Sequence, residues 1–325
     1  MSVSRRDFLT RTAVAVAAGT LGRSVWAREA WRRNAQTPTP PQINPVFTPI
    51  RRNVGFFTGR GGTIGYLINT GGIVVIDSQY PDAAKLCVDG LKARSGGRPI
   101  DVLINSHHHA DHTGGNVVFK GVAKTIVAQA NVPGLQKMAA QTAAQTAAQA
   151  AAPGTTPAPQ PEQVYADATF DSVWNKSVGD EVVHATFFGP AHTGGDAAVH
   201  FEKANIVHVA DLVFNRLQAY VDHPGGASAI SWIAKLEKVA STYPADATYI
   251  FGHAAAKFQV TGTKADVLVM RDYLTALVDY VRGEIRAGRS RDAIIASTAV
   301  LKGFDDHGPL SARALTGTYD ELAGK

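Results

Sequence analysis

Residues 107–112 read His-His-His-Ala-Asp-His, four imidazoles and one carboxylate in six consecutive positions. His107 and His109 are two residues apart, so in an extended segment both point to the same side. Asp111 and His112 follow at once, ahead of a Thr113-Gly114-Gly115 turn. The preceding run, Ile100–Asn105, reads as a buried strand, which places the cluster where the chain leaves a sheet. Imidazole with carboxylate suits zinc and its first-row neighbours, iron and manganese included. A lone histidine is ordinarily a packing residue, and a histidine run can be an opportunistic metal tract. A His-x-His-x-Asp-His pattern at a strand end is more specific than either.

Three further donors fall at the ends of apolar runs. Glu181–Phe188 alternates like a strand and leads into Gly189-Pro190-Ala191-His192-Thr193-Gly194-Gly195-Asp196. The run Ile206–Ala210 ends in Asp211, and Ala247–Ile250 leads into Phe251-Gly252-His253. Together with the histidine cluster, this series resembles the signature of the metallo-β-lactamase superfamily, over nearly all of residues 50–325. The resemblance implies an α/β fold, the four-layer αββα sandwich, built as two similar halves with metals at one edge of the sheets. It implies that His107, His109 and His192 bind one metal, that Asp111, His112 and His253 bind a second, and that Asp211 bridges them. Asp77, at the end of the run Ile73–Asp77, would support the metal site from behind the ligands.

The chemistry implied is that of a zinc-dependent hydrolase with two Zn2+ ions. Two cations ~3.5–4 Å apart share a water, lower its pKa towards ~7 and polarise a carbonyl. Asp111 would orient the nucleophile, and no serine or cysteine nucleophile is required. Candidate substrates are small esters, thioesters, lactones and β-lactams. An aspartate at 211 resembles the glyoxalase II and lactonase ligand set. The terminal ligands also match the class B3 β-lactamases, which have serine at that place. A mononuclear iron dioxygenase of the same fold uses fewer protein ligands, and a non-catalytic periplasmic protein handling a metal or cofactor is the remaining alternative. Fold alone does not choose among them. Tyr220 and His223 precede or lie in a Pro/Gly loop shortly after Asp211 and are candidate substrate contacts. His108 alternates away from its neighbours, and His184, His200 and His208 lie within strands, where packing explains them.

Other elements must hold these residues. Gly62–Asn69, the turn at 70–72 and Ile73–Asp77 read as a hairpin. Helices are expected at Asp82–Arg94, Ser228–Ser241, Lys264–Ala287 and Arg291–Leu301, and a strand at Val122–Ala128. Residues 136–152 are almost all Ala, Gln and Thr, which favours a helix with little to bury. A proline-rich stretch to Pro161 cannot continue it. The whole insertion, about 136–161, lies between the two metal motifs, where it would serve as a lid or be inert.

With 325 residues, 45% of them hydrophobic, the chain can bury a large core. Its one cysteine, Cys87, sits in an expected helix and rules out an internal disulfide. The formal charge is +5, of which residues 1–27 supply +3 through four arginines and one aspartate, leaving +2 for the rest. That is too little to argue for a nucleic-acid partner; a small-molecule substrate is expected. Ser4-Arg5-Arg6-Asp7-Phe8-Leu9 resembles a twin-arginine export signal. The apolar stretch 12–21 is too short to span a bilayer, so no stable membrane insertion is expected. Cleavage after Ala27 would leave a polar, proline-rich arm at 28–50 and a domain at 51–325 in a bacterial periplasm. Replacing Arg5 and Arg6 together by lysine should therefore abolish export, read as loss of the processed protein from the periplasmic fraction. Unchanged processing would contradict the signal.

Overall fold

The computed structural model describes residues 42–151, 155 and 160–324. The expected signal at 1–27, the first part of the polar arm and most of the proline-rich stretch after Ala152 lie outside the described residues.

Two sheets carry the site. The first has seven strands in sequence order. They are β1 (Val46–Arg51), β2 (Val54–Thr58), β3 (Ile64–Asn69), β4 (Gly72–Ile76), β5 (Val102–Asn105), β6 (Ile126–Gln129) and β7 (Ala168–Phe170). The second has six: β8 (Val173–Val178), β9 (Glu181–Phe187), β10 (Ala197–Phe201), β11 (Ile206–Asn215), β12 (Thr248–Ala254) and β13 (Thr261–Gly262), lying in the order β13-β12-β11-β10-β9-β8. Pairing is antiparallel from β1 to β4 and parallel from β4 to β7. In the second sheet only β11 and β12 are parallel.

The helices are α1 (Pro81–Ser95), α2 (Ala110–Thr113), α3 (Asn116–Phe119), α4 (Val132–Ala150), α5 (Ala229–Thr242), α6 (Lys264–Arg286), α7 (Arg291–Ile295) and α8 (Ala312–Leu322). Their stripes explain the layers. On α1, Ala84, Cys87, Val88 and Leu91 recur at helical spacing and pack with Ile73, Val75 and Leu103 on the outer face of the first sheet. On α5, Trp232, Leu236 and Val239 do the same against Val207, Val209 and Phe251 of the second, joined by α6 and α8. Between the sheets, Val74, Ile76 and Ile104 meet Val183, Val199 and Ile250. The fold is thus the expected αββα sandwich. Every residue of β4 is buried, which a strand covered on both faces requires.

Several boundaries differ from the sequence expectation. The arm ends earlier, because Val46–Arg51 pairs with β2 and Phe47 packs on Phe57, their ring centroids 4.8 Å apart. The strand expected at 122–128 begins only at Ile126, since residues 121–123 turn out of α3 through Gly121 at φ 79°. α4 starts at Val132, which is buried. The helix expected at 291–301 stops at Ile295, where the Tyr280 and Ser297 hydroxyls bond at 2.6 Å and Leu310 N–H donates to the Ala299 carbonyl. Asp211 does not end its strand: β11 runs on through Leu212-Val213-Phe214.

The buried stripe of α5 makes Leu236→Ala expensive, about 2–5 kcal/mol for a buried leucine that leaves a cavity. Leu86 on α1 is 37% exposed, so Leu86→Ala should cost well under ~1 kcal/mol. Urea unfolding of the two variants reads the contrast; equal losses would contradict the assignment of faces.

Candidate metal centre

The site lies at the carboxyl ends of parallel strands in both sheets, and local hydrogen bonds fix the orientation of each ring. Asp77 follows β4 with φ 67°, and its carboxylate accepts Ser106 N–H and Ser106 Oγ–H, each at 2.7 Å. Ser106 Oγ, its proton thus committed, accepts from His107 Nδ1–H at 3.0 Å. His192 Nδ1–H donates to the Tyr220 carbonyl at 2.9 Å, and His109 Nε2–H donates to Asp222 Oδ2 at 2.9 Å. Each imidazole has therefore used its proton, and the opposite nitrogen is a lone pair. Those three lone pairs face one another: His109 Nδ1 is 3.2 Å from His107 Nε2 and 3.0 Å from His192 Nε2. Asp211 Oδ2 lies 3.5 Å from His192 Nε2 and 3.8 Å from His107 Nε2.

A second group adjoins the first through the same carboxylate. His112 Nδ1–H donates to Asp77 Oδ2 at 2.7 Å, which turns His112 Nε2 towards Asp211 Oδ1 at 3.1 Å. His253 Nε2 is 3.4 Å from Asp211 Oδ1 and 3.1 Å from Asp111 Oδ2. His112 Nε2 and Asp211 Oδ1 are buried without a hydrogen-bond partner. Converging lone pairs with no shared proton, and buried acceptors with no donor, fit cations rather than hydrogen bonding. The ligand atoms of His107, His109, His192 and Asp211 all lie within 4.8 Å of one another, as do those of Asp111, His112 and His253. The structure thus brings together all seven residues named from the sequence.

The electrostatics match. Burial holds His107 well below the ordinary imidazole range, and His112 beside it adds to the effect. Burial, then His109, pushes His192 down to about 3. Burial opposes the charge on Asp211, but His112 and His253 outweigh it and hold its carboxyl well below the usual range. Burial likewise disfavours protonated His112, yet Asp211, Asp77 and Asp111 raise its pKa well above 6.5. Positive charge is favoured between these carboxylates, whether proton or metal supplies it.

Backbone irregularity aims the bridge. Ala210 sits at φ 45°, and the β11–β12 register shifts on both sides of it. A Cβ on Gly252 would fall 1.9 Å from Asp211 Oδ1, and one on Gly62 would fall 2.1 Å from the His112 ring. Both positions need glycine for the ligands to reach. His108, read from sequence as a packing residue, is buried with Nε2 3.3 Å from Asp222 Oδ2. Asp222 thus clamps two adjacent histidines, which hold its carboxyl well below the usual range despite burial. Sequence reasoning passed over Asp222, Gly62 and Gly252, although Asp222 adjoins the singled-out His223 and Gly252 adjoins His253.

Two cavities flank the donors. One of about 610 Å³ lies between His108, His109 and one face of α4, with Tyr220 in its wall. The other, about 360 Å³, is bounded by Asp111, His253, Phe214 and Arg313. Tyr220 reaches the site, its ring centroid 5.3 Å from that of His109. His223 lines a separate cleft with Tyr220, Pro224 and Thr316.

A family model described as the metallo-beta-lactamase superfamily matches residues 58–253. No curated protein matches the chain significantly. Among solved structures, a metallo-beta-lactamase from Pontibacter korlensis is 19% identical, covers 71% of this chain and 99% of its own, and superposes with a TM-score of 0.54. Metallo-beta-lactamase IND-7 gives 18% identity, 72% and 100% coverage, and 0.54. The stereoselective inverting sec-alkylsulfatase Pisa1 from Pseudomonas sp. is 16% identical with a TM-score of 0.63; the match covers 86% of this chain but only 50% of that one. At these identities the likeness is one of fold.

Gly252→Ala should displace Asp211 and weaken zinc binding by more than about tenfold, the scale of losing a ligand's support, with the circular dichroism spectrum unchanged. Chelator competition reads the affinity. Wild-type affinity in the variant would contradict the role given to this glycine.

Proposed function

Because the chain belongs to the metallo-beta-lactamase superfamily, we propose that it is a zinc-dependent hydrolase of small carbonyl compounds: esters, thioesters, lactones or β-lactams. One observation carries the reading: two donor groups share Asp211, with Oδ2 towards His107 and His192 and Oδ1 towards His112 and His253. His107, His109 and His192 would hold one zinc ion, Asp111, His112 and His253 the other, and Asp211 both. Such a site, when loaded, would supply a bound water of lowered pKa and polarisation of a carbonyl oxygen.

The chain's own groups do the rest. Burial opposes the Asp111 charge, but His112 and His253 bring its pKa to about 2. It therefore stays an acceptor at working pH and orients the proton of the attacking water. Asp77, Ser106, Tyr220 and Asp222 fix the histidine tautomers, so no ring must reorient during turnover. The water oxygen bonds to the carbonyl carbon and the carbon–heteroatom bond breaks; the acyl fragment leaves as carboxylate, one water proton goes to the departing heteroatom and the other to solvent. A complete second group with its own aspartate favours this over a single-iron oxygenase. The aspartate at 211, where class B3 β-lactamases have serine, puts the glyoxalase II or lactonase type ahead of a class B3-like β-lactamase. The twin-arginine pattern at 4–9 supports action in the periplasm. Among the described residues, no helix is long and apolar enough to cross a membrane.

Protein purified without added metal should contain two zinc ions per chain by elemental analysis, and should hydrolyse at least one member of a panel of chromogenic esters, thioesters, lactones and β-lactams, with activity lost to chelator. One bound iron and no zinc, or no turnover across the panel, would overturn the proposal.

A further inference from the structure

The two cavities beside the donors differ in chemistry, and the difference specifies the substrate's shape. The larger, next to His109, is walled by α4 through Met138, Thr142, Ala143, Thr146, Ala147 and Ala150. These residues recur at helical spacing and carry no charge. Apart from Met138 at one end, their side chains are small, so the wall makes room instead of filling it. Such a trough suits an apolar chain or ring. α4 is held in place at its first turns, where Val132 and Gln136 are buried and Gln136 Nε2–H donates to the Val164 carbonyl at 3.3 Å.

The smaller cavity, next to Asp111 and His253, holds one cation, Arg313 of α8. Its guanidinium lies over the Tyr220 ring, 4.5 Å from the centroid, and makes no ion pair among the described residues. Gln218 braces the start of α8, donating to the Pro309 carbonyl and accepting from Ser311 Oγ–H. His307 lines the same cavity, buried and stacked on Tyr273. Neither of its ring nitrogens has a hydrogen-bond partner. Burial and then Arg216 push its pKa down to about 4, so it is neutral and carries one N–H. A guanidinium without a carboxylate and a buried imidazole without a partner are what an incoming oxyanion would satisfy. Tyr220 belongs to both surroundings, facing the trough and supporting Arg313, so the two cavities are neighbours across the donors.

We propose that the substrate is an amphiphilic anion, with its apolar part in the trough against α4 and its anionic group at Arg313, so that the reacting bond lies across the donor cluster between them. This rests on the hydrolase reading above, but it assigns two elements outside the ligand set: the uncharged face of α4 and Arg313. The insertion is then the wall that sets chain-length preference, and α8 supplies charge selectivity.

Isothermal titration with three probes tests the idea on zinc-loaded and chelator-stripped protein: octane-1-sulfonate, ethane-1-sulfonate and octyl glucoside. Octane-1-sulfonate should bind about tenfold tighter than either of the others, the scale of one charge-assisted hydrogen bond or a few buried methylenes. The preference over octyl glucoside should persist in stripped protein, which separates Arg313 from the metals as its source. Arg313→Gln should remove that preference, and Ala143→Phe, which fills the trough, should remove the gain from chain length. An Arg313→Gln protein that still prefers the sulfonate, or an Ala143→Phe protein that still prefers the longer chain, would overturn the proposal. Because binding is read directly, failure of hydrolysis on the ester panel and failure of this pattern are separate results.

Discussion

A buried carboxylate surrounded by imidazole nitrogens is the constraint the rest of the structure answers to. Asp211 is 2% exposed, and four ring nitrogens stand 3.1–3.8 Å from its two oxygens. A carboxylate taken out of water is costly unless paired, and three imidazoles pointing lone pairs at one spot repel unless something positive sits between them. Every local device around the site maintains this tension. The left-handed Ala210 shifts the register within β11 and aims the Asp211 side chain, Gly252 and Gly62 clear its path and that of His112, and Asp77, Ser106, Tyr220 and Asp222 consume the outer ring protons. The arrangement favours a positive charge at its centre.

That arrangement also explains the sandwich. β5 delivers His107 and His109, and β11 and β12 deliver Asp211 and His253, so candidate donors from different sheets meet at one edge. The apolar layer between the sheets fixes their spacing. The outer helices cover the remaining faces, which is why every residue of β4 and β11 is buried. Trp232 shows the coupling: it lies in the α5 core, donates to the Leu212 carbonyl beside the bridge at 3.0 Å, and its ring centroid is 5.2 Å from that of His192.

The candidate donors were legible in the sequence because their types are rare and their spacing specific: a His-x-His-x-Asp-His motif and three donors after apolar runs. The layers were legible because strands buried on both faces leave continuous apolar runs and α1 and α5 leave stripes. What stayed hidden depends on the third dimension. Asp222 looked like loop composition until the fold brought it beneath His108 and His109. Gly62 and Gly252 matter only because a ring and a carboxylate occupy the space a Cβ would take. The sequence places the end of β11 too early, because a register shift within the strand, not a strand terminus, turns Asp211 towards the histidine donors. The Ala/Gln/Thr segment carried no hint of its partner, since a helix of small residues reads the same as an inert insertion or as the wall of a cavity.

Under the proposed function, Asp211 holds two cations, one on each oxygen. Anomalous diffraction from crystals of the protein purified without added metal, recorded on either side of the zinc absorption edge, tests it most directly. The account requires two zinc peaks flanking the Asp211 carboxylate, one among His107, His109 and His192 and the other among Asp111, His112 and His253. A single peak confined to the first group, with Asp211 Oδ1 bonded only to protein or water, would contradict it.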